Sequence, residues 1–247
     1  MVAERMWRYS PTDQTQDIRS QWEAKRNHSL YAVDERISDR LACLIEPFTV
    51  GCRAARRGQP KPGEQAVVFG CGTIGIAAAI SLKYFGVSKV MICDVADFRL
   101  KIAKDLGFAV CNMNHQNFRE EAMKYFGPAP SLKGPTVDVD CFIDAAGAES
   151  ILDLFMELGK IESRFVAVAV NNSIRQLDLL HMTYSQKSLI GSGGYMPEDV
   201  ADVMDIMASR KWNLESVITH EFPLEQIEDA IRTAADADEA LNVTIKF

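Results

Sequence analysis

A doubly wound parallel α/β sheet is the fold class that this sequence predicts, and three observations predict it. From residue 66 onward, short apolar runs alternate with helical stretches: "AVVFG", "TIGIAAAISLKYFG", "KVMICD", "DFRLKIAKDLG". The runs are apolar nearly throughout, as strands covered on both faces are, rather than apolar on alternate residues. The intervening stretches are about ten to fifteen residues long, the length of a crossover helix between parallel strands. Right-handed crossovers then lay helices on both faces of one sheet.

The elements follow in order. The first 35 residues are polar and mixed in charge, with a short helix expected at "QTQDIRSQWEAKRN", residues 14–27. Residues 37–57, "ISDRLACLIEPFTVGCRAARR", repeat apolar side chains at three and four and read as helical. Pro47 interrupts that period, so a break or kink is expected near Glu46. "GQPKPGEQ" is a turn-rich connector. Strand "AVVFG" then leads into a helix ending at Gly86, and strand "KVMICD" into a helix ending at Gly107. A weaker strand "AVCNM", the helix "FREEAMKYFG" and a Pro/Gly loop "GPAPSLKGP" come next. "VDVDCFIDAAG" reads as a fourth strand, "ESILDLFMELG" as a helix, "RFVAVAV" as a fifth strand and "KSLIG" as a sixth. The helix "EDVADVMDIMASRK" closes the series.

Composition narrows the functional classes. The chain has 247 residues, 47% hydrophobic and 25% charged, which is ordinary for a globular protein with a sizeable core. A net charge of −7 argues against a nucleic-acid partner, which calls for clustered Lys and Arg. The longest apolar run, "IGIAAAISL", falls far short of the roughly 20 residues of a membrane span. The opening "MVAERMWRYSPTDQ" has no hydrophobic signal core, so a cytoplasmic location is expected. Six dispersed cysteines without a C-x-x-C pair are expected as reduced, buried thiols. The four histidines show no metal-ligand spacing, and no complete metal site is legible.

Chemistry concentrates in Gly70-Cys71-Gly72-Thr73-Ile74-Gly75, a G-x-G-x-x-G between a strand and a helix. Gly70 permits the tight turn, Gly72 lets backbone amides approach a pyrophosphate, and Gly75 allows the helix to pack closely on the sheet. The helix N-terminus behind the loop, with Thr73 and Ile74, is an anion site. Asp94 ends the next strand nineteen residues after Gly75, where an acidic residue takes ribose hydroxyls. A 2′-phosphate would meet its charge, and Val95 follows rather than a basic residue, so NAD is expected over NADP. Arg99 stands where it could cover the adenosine, or serve only as a solvated helix charge. A rival reading is motif I of S-adenosylmethionine-dependent methyltransferases, which usually carry an acidic residue just before the first glycine; Val68 and Phe69 stand there instead.

The stretch from "RLACLIEPFTVGCRAARRGQPKPGEQ" through the glycine loop, with "VDVDCFIDAAGAES", "SLIGSGGYMPEDV" and "VITHEFPLEQIEDAI", resembles zinc-type medium-chain alcohol dehydrogenases, nearest to their sorbitol- and threonine-dehydrogenase-like branch. The resemblance covers about residues 29–247. It implies a Rossmann domain over residues 41–211, with a remnant of a GroES-like catalytic domain or an extension at 1–40 and, at 212–247, a remnant that in the family returns to that domain. It implies that Ala145, Ala146 and Gly147 line the cofactor groove, that Val168 to Asn171, Val168 and Val170 among them, pass near the nicotinamide, and that Ser192 and Gly193 face its carboxamide. It implies hydride transfer between NAD and a secondary alcohol or polyol, zinc in the family with Glu46 matching a residue at the metal, and a homodimer through the sheet edge. The family's cysteine and "GHE" ligands have no counterpart here. A non-catalytic module that binds NAD or a partner is therefore the alternative to a dehydrogenase.

Overall fold

Six parallel strands form the centre of the computed structural model, which describes residues 6–8, 30–172 and 174–247. The helix expected at residues 14–27 lies outside the described residues. Strand β1 (Met6–Arg8) pairs antiparallel with β2 (Leu30–Ala32), and two helices follow, α1 (Asp39–Ala42) and α2 (Ile45–Arg57). The first half of the sheet is β3 (Gln65–Phe69), α3 (Thr73–Tyr84), β4 (Lys89–Asp94), α4 (Asp97–Asp105) and β5 (Ala109–Asn112). Helix α5 (Phe118–Phe126) and a hairpin of β6 (Pro128–Ala129) with β7 (Thr136–Val137) lead to the second half. That half comprises β8 (Cys141–Asp144), α6 (Glu149–Leu158), β9 (Arg164–Ala167), α7 (Leu179–Ser185), β10 (Ser188–Gly191) and α8 (Pro197–Ser209). Strand β11 (Ile218–Pro223), helix α9 (Ile227–Ala234) and strand β12 (Asn242–Lys246) complete the chain.

The sheet order is β10-β9-β8-β3-β4-β5, so the winding reverses between β3 and β8. This is the Rossmann order, and a crevice opens at the strand C-termini where it reverses. Every residue of β3 is buried. Its alternate side chains feed two cores: Ala66 and Val68 meet α2, α3, α4 and α8 on one face, while Val67 and Phe69 meet α5 and α6 on the other. The second core is aromatic. Phe155 stands edge-on to Phe142 at 5.3 Å and lies 5.2 Å from Phe165, and Phe69 lies 5.2 Å from Phe118. On the first face, α2 crosses α3 at Gly51, where a Cβ would lie 2.5 Å from the Ile74 carbonyl oxygen. A fully buried carboxylate, Asp199 of α8, accepts from Arg56 Nε of α2 at 2.6 Å and from the Met196 amide at 2.8 Å.

The break expected near Glu46 falls slightly earlier, at Cys43–Leu44, and α2 runs unbroken through Pro47. Pro47 sits in the first helical turn, whose amides have no intrahelical acceptor, so its missing N–H costs nothing. "VDVDCFIDAAG" is two pieces rather than one strand. Asp140 turns out of line to accept the Gln65 amide, and Asp138 and Asp140 share Lys160 Nζ, each at 2.6 Å. The loop "GPAPSLKGP" is closed by the β6–β7 ladder. Helix α7 was not expected: "LLHMTYS" is too short for a clear period, and Asp178 caps it through the His181 amide. "VITHEFPL" and "LNVTIKF" pair with each other in parallel as β11 and β12. Among the described residues no helix is long and apolar enough to cross a membrane.

Candidate functional site: the glycine loop and its acidic clamp

The three glycines of the loop occupy three different situations. Gly70 has φ +103°, and a Cβ there would lie 2.9 Å from the Ala145 carbonyl carbon and the Ala146 amide nitrogen. The tight turn and the exit of β8 therefore both demand glycine. At Gly75 a Cβ would fall 1.8 Å from the Gly70 carbonyl oxygen, so α3 can seat against β3 only with hydrogen there. Gly72 is the opposite case. Its backbone is extended (φ −77°, ψ 178°), and nothing lies within 4 Å of where a Cβ would stand. Its bareness serves no internal contact; it faces open space beside α3. No side chain caps that helix, which leaves its leading amides to an anion.

Asp94 locks this loop. One carboxylate oxygen accepts from the Cys71 amide, and the other accepts from the amides of Val95 (2.7 Å) and Ala96 (3.0 Å). A carboxylate offers about four acceptor sites, so one remains for an incoming hydroxyl. Val95 is 55% exposed and offers apolar surface next to it. Arg99 is held by a backbone carbonyl. Its Nε and Nη2 both donate to the Ala240 carbonyl, at 3.1 and 3.0 Å, tying α4 to the segment that enters β12. Asn242 reaches Thr73 Oγ1 from the same segment at 3.3 Å.

On the other side of the switch point, Ala145, Ala146 and Gly147 form a turn hung on Asp144. A single oxygen of Asp144, Oδ1, accepts from the Ala146 amide (3.1 Å) and the Gly147 amide (2.7 Å). Burial of this carboxyl raises its pKa, and the two amides lower it only in part. Gly147 takes φ +76°, and Asn171 Nδ2 donates to its carbonyl at 2.8 Å. Val168 is half-buried, and Val170 is fully open to solvent. The Ser192 amide extends the β9–β10 ladder by bonding the Ala167 carbonyl, whereas its buried hydroxyl finds no partner among the described residues. Gly193 has nothing within 4 Å of a Cβ position. A cavity of about 460 Å³ opens beside this end of the sheet, lined by Asp144, Leu152, Ala169, Asn171, Arg175 and Leu189 among others. Asp144 was missed in sequence. The available signal was an acidic residue ending a buried strand just before "AAG".

A family model for zinc-binding dehydrogenases matches residues 73–209, more than half of the chain. The chain belongs to the zinc-binding dehydrogenase family. The chain is 27% identical to sorbitol dehydrogenase of Homo sapiens over 204 residues, which cover 82% of the chain and 55% of that protein. It is 29% identical to D-xylulose reductase of Scheffersomyces stipitis over 211 residues, with 82% and 55% covered. Its fold superposes with a TM-score of 0.77 on an alcohol dehydrogenase of E. coli CFT073 solved with NADH, at 26% identity, covering 89% of this chain and 63% of that one. The chain thus spans about half the length of the curated relatives it matches.

The donor set for zinc is a separate matter from family membership. Among the described residues no group of three or more His, Cys, Asp and Glu side chains could hold a metal ion. Glu46 sits in the first turn of α2, and partial burial raises its pKa. A catalytic zinc needs about three protein ligands and an open position. One carboxylate does not supply them, so the described residues do not fit the metal.

Proposed function

We propose that this chain is the NAD-binding half of an alcohol or polyol dehydrogenase. The observation that carries the reading is the bare, unobstructed face of Gly72 beside an uncapped helix N-terminus, with Asp94 fixed one strand away. The amides of the loop and of α3 hold the pyrophosphate. Asp94 accepts from the adenosine ribose and disfavours a 2′-phosphate by charge. The turn Ala145–Gly147 and residues Val168 to Val170 form the floor for the nicotinamide, and the unpartnered Ser192 hydroxyl is free to bond its carboxamide. Bound NAD would accept or donate the hydride. The protein's part is to orient the ring toward a secondary alcohol or its ketone. In this reading residues 41–211 are the cofactor unit, and residues 1–40 and 212–247 belong with the catalytic part.

The described residues provide binding but no zinc ligand set, so the chain by itself is expected to bind NADH without turnover. Two copies are expected to join at β10, one of the two edges of the sheet, where Leu189 and, in the preceding helix, Leu179, Leu180 and Tyr184 are exposed. The test is an NADH fluorescence titration of the folded chain, with NADPH and S-adenosylmethionine as competitors. Saturable binding that NADPH and S-adenosylmethionine barely disturb supports the reading. Absence of binding, or displacement by S-adenosylmethionine, overturns it. Light scattering of the wild type and of Leu189→Asp tests the dimer separately.

A further inference from the structure

Two cysteines stand side by side in the sheet next to the acidic clamp. Cys93 of β4 and Cys111 of β5 are direct register partners in parallel strands. Register partners in parallel strands point to the same face, and both thiols lie buried in the aromatic core. Both are free. Each is followed at once by a residue of the clamp. Asp94 holds the glycine loop, and Asn112 Nδ2 donates to Asp97 Oδ1 at 2.6 Å, bracing the turn in which the Val95 and Ala96 amides meet Asp94. The Met113 amide closes the set on the Asp94 carbonyl at 2.8 Å.

We propose that Cys93 and Cys111 are a reversible redox site, forming a cross-strand disulfide whose closure loosens the clamp on the dinucleotide. Side chains standing parallel on neighbouring strands keep their Cβ atoms near the strand spacing of about 4.8 Å, while a disulfide draws its two Cβ atoms to about 3.8 Å. Closure therefore turns the two Cα–Cβ bonds toward each other and twists β4 and β5 locally, which shifts Asn112 and Asp94 with them. A bond made under such strain is easily reduced, which suits a reversible site. The oxidant is a small disulfide such as glutathione disulfide. Cys111 is buried on an edge strand, so the exchange starts when β5 opens locally; the Cys93 thiol beside it lowers its pKa, so Cys111 attacks first. Its thiolate breaks the small disulfide, forms a mixed disulfide and releases one thiol. Cys93 then loses its proton and attacks the Cys111 sulfur, releasing the second thiol. The protein gives up two electrons and two protons, and the small disulfide becomes two thiols.

The effect on cofactor rests on the NAD reading above; the disulfide does not. The folded chain is held for hours in glutathione buffers of rising oxidation and quenched in acid. It is then digested with trypsin without reduction and weighed by mass spectrometry. Cleavage places Cys93 and Cys111 in separate peptides, residues 90–99 and 105–119. The expected product joins them, two hydrogens lighter than their sum, and returns to free peptides on reduction. Both peptides remaining free while Cys43 carries glutathione would overturn the site, with no variant needed. NADH titration of the cross-linked protein is expected to give a dissociation constant about tenfold higher, a change of roughly 1.4 kcal/mol. Equal affinity of the cross-linked and reduced forms would overturn the coupling. No NADH binding by the reduced form counts against the NAD reading and leaves the disulfide to be decided by mass.

Discussion

Gly72→Ala separates the fold of the loop from its use. The backbone at Gly72 is one that alanine adopts freely, and the added methyl meets nothing within 4 Å. As an N-cap, alanine is about 1 kcal/mol worse than glycine. Lower chain entropy in the unfolded state returns about 0.4–1 kcal/mol. Stability should therefore stay within about 0.5 kcal/mol of wild type in urea unfolding. Binding should not survive so well. The methyl projects into the space where a phosphate would approach the amides of the loop. Hydrogen bonds to a charged group contribute about 1.5–3 kcal/mol each, and losing two costs roughly 3 kcal/mol, or about 100-fold in NADH affinity. Gly75→Ala is the control. Its methyl would stand 1.8 Å from the Gly70 oxygen, so α3 must retreat by roughly 1.5 Å to reach normal contact. That overpacking costs about 1–3 kcal/mol of stability and weakens binding as well. A Gly72→Ala protein that melts like wild type and binds NADH equally well would refute the reasoning, because the open face would then hold no phosphate.

Three further outcomes follow from the same structure. Asp94→Ala leaves the amides of Cys71, Val95 and Ala96 without their acceptor, so urea unfolding should show a loss of about 1–3 kcal/mol. Titrations with both cofactors should show NADH weakened and NADPH relatively improved. Phe142→Ala removes a fully buried ring that packs on Phe69 and Phe155, and should cost about 3–5 kcal/mol in the same assay, with no change in which cofactor is preferred. Asp144→Asn keeps both turn hydrogen bonds, since both end on Oδ1, and removes a charge that burial disfavours. Because the folded-state pKa of Asp144 is raised, the folded protein binds this proton more tightly than the unfolded chain. Wild-type stability from this group is therefore present at low pH and lost as pH rises through the folded pKa. The variant should match wild type in acid and exceed it at neutral pH, as thermal melts across that range would show.

Much of this fold was legible because the central strands are buried on both faces. Such strands leave unbroken apolar runs, and the glycines that follow helices α2 to α6 punctuate them. The roles of Gly70 and Gly75 were readable from spacing alone, since turn and close packing are local demands. What spacing could not convey was where side chains with two possible partners would turn. Arg99 had an open site and a carbonyl within reach, and a carbonyl 141 residues away in sequence took it. Asp144 looked like the end of a strand, and only the bend of the next three residues back onto its oxygen made it a support for the groove. Helix α7 escaped for a different reason: at seven residues it is held by its cap and its neighbours rather than by a repeating apolar face.

The contacts from Ala240 and Asn242 to Arg99 and Thr73 also bear on when the molecule becomes competent during synthesis. Strands β3, β4 and β5 emerge first and can assemble as one half of the sheet, glycine loop included. The brace on that loop arrives only some 140 to 170 positions later, as the contacts themselves count. Closing so long a loop is slow relative to local structure. A nascent chain would thus carry a formed but unbraced glycine loop through that interval of translation, and a ligand that binds the loop would act as a folding aid during it.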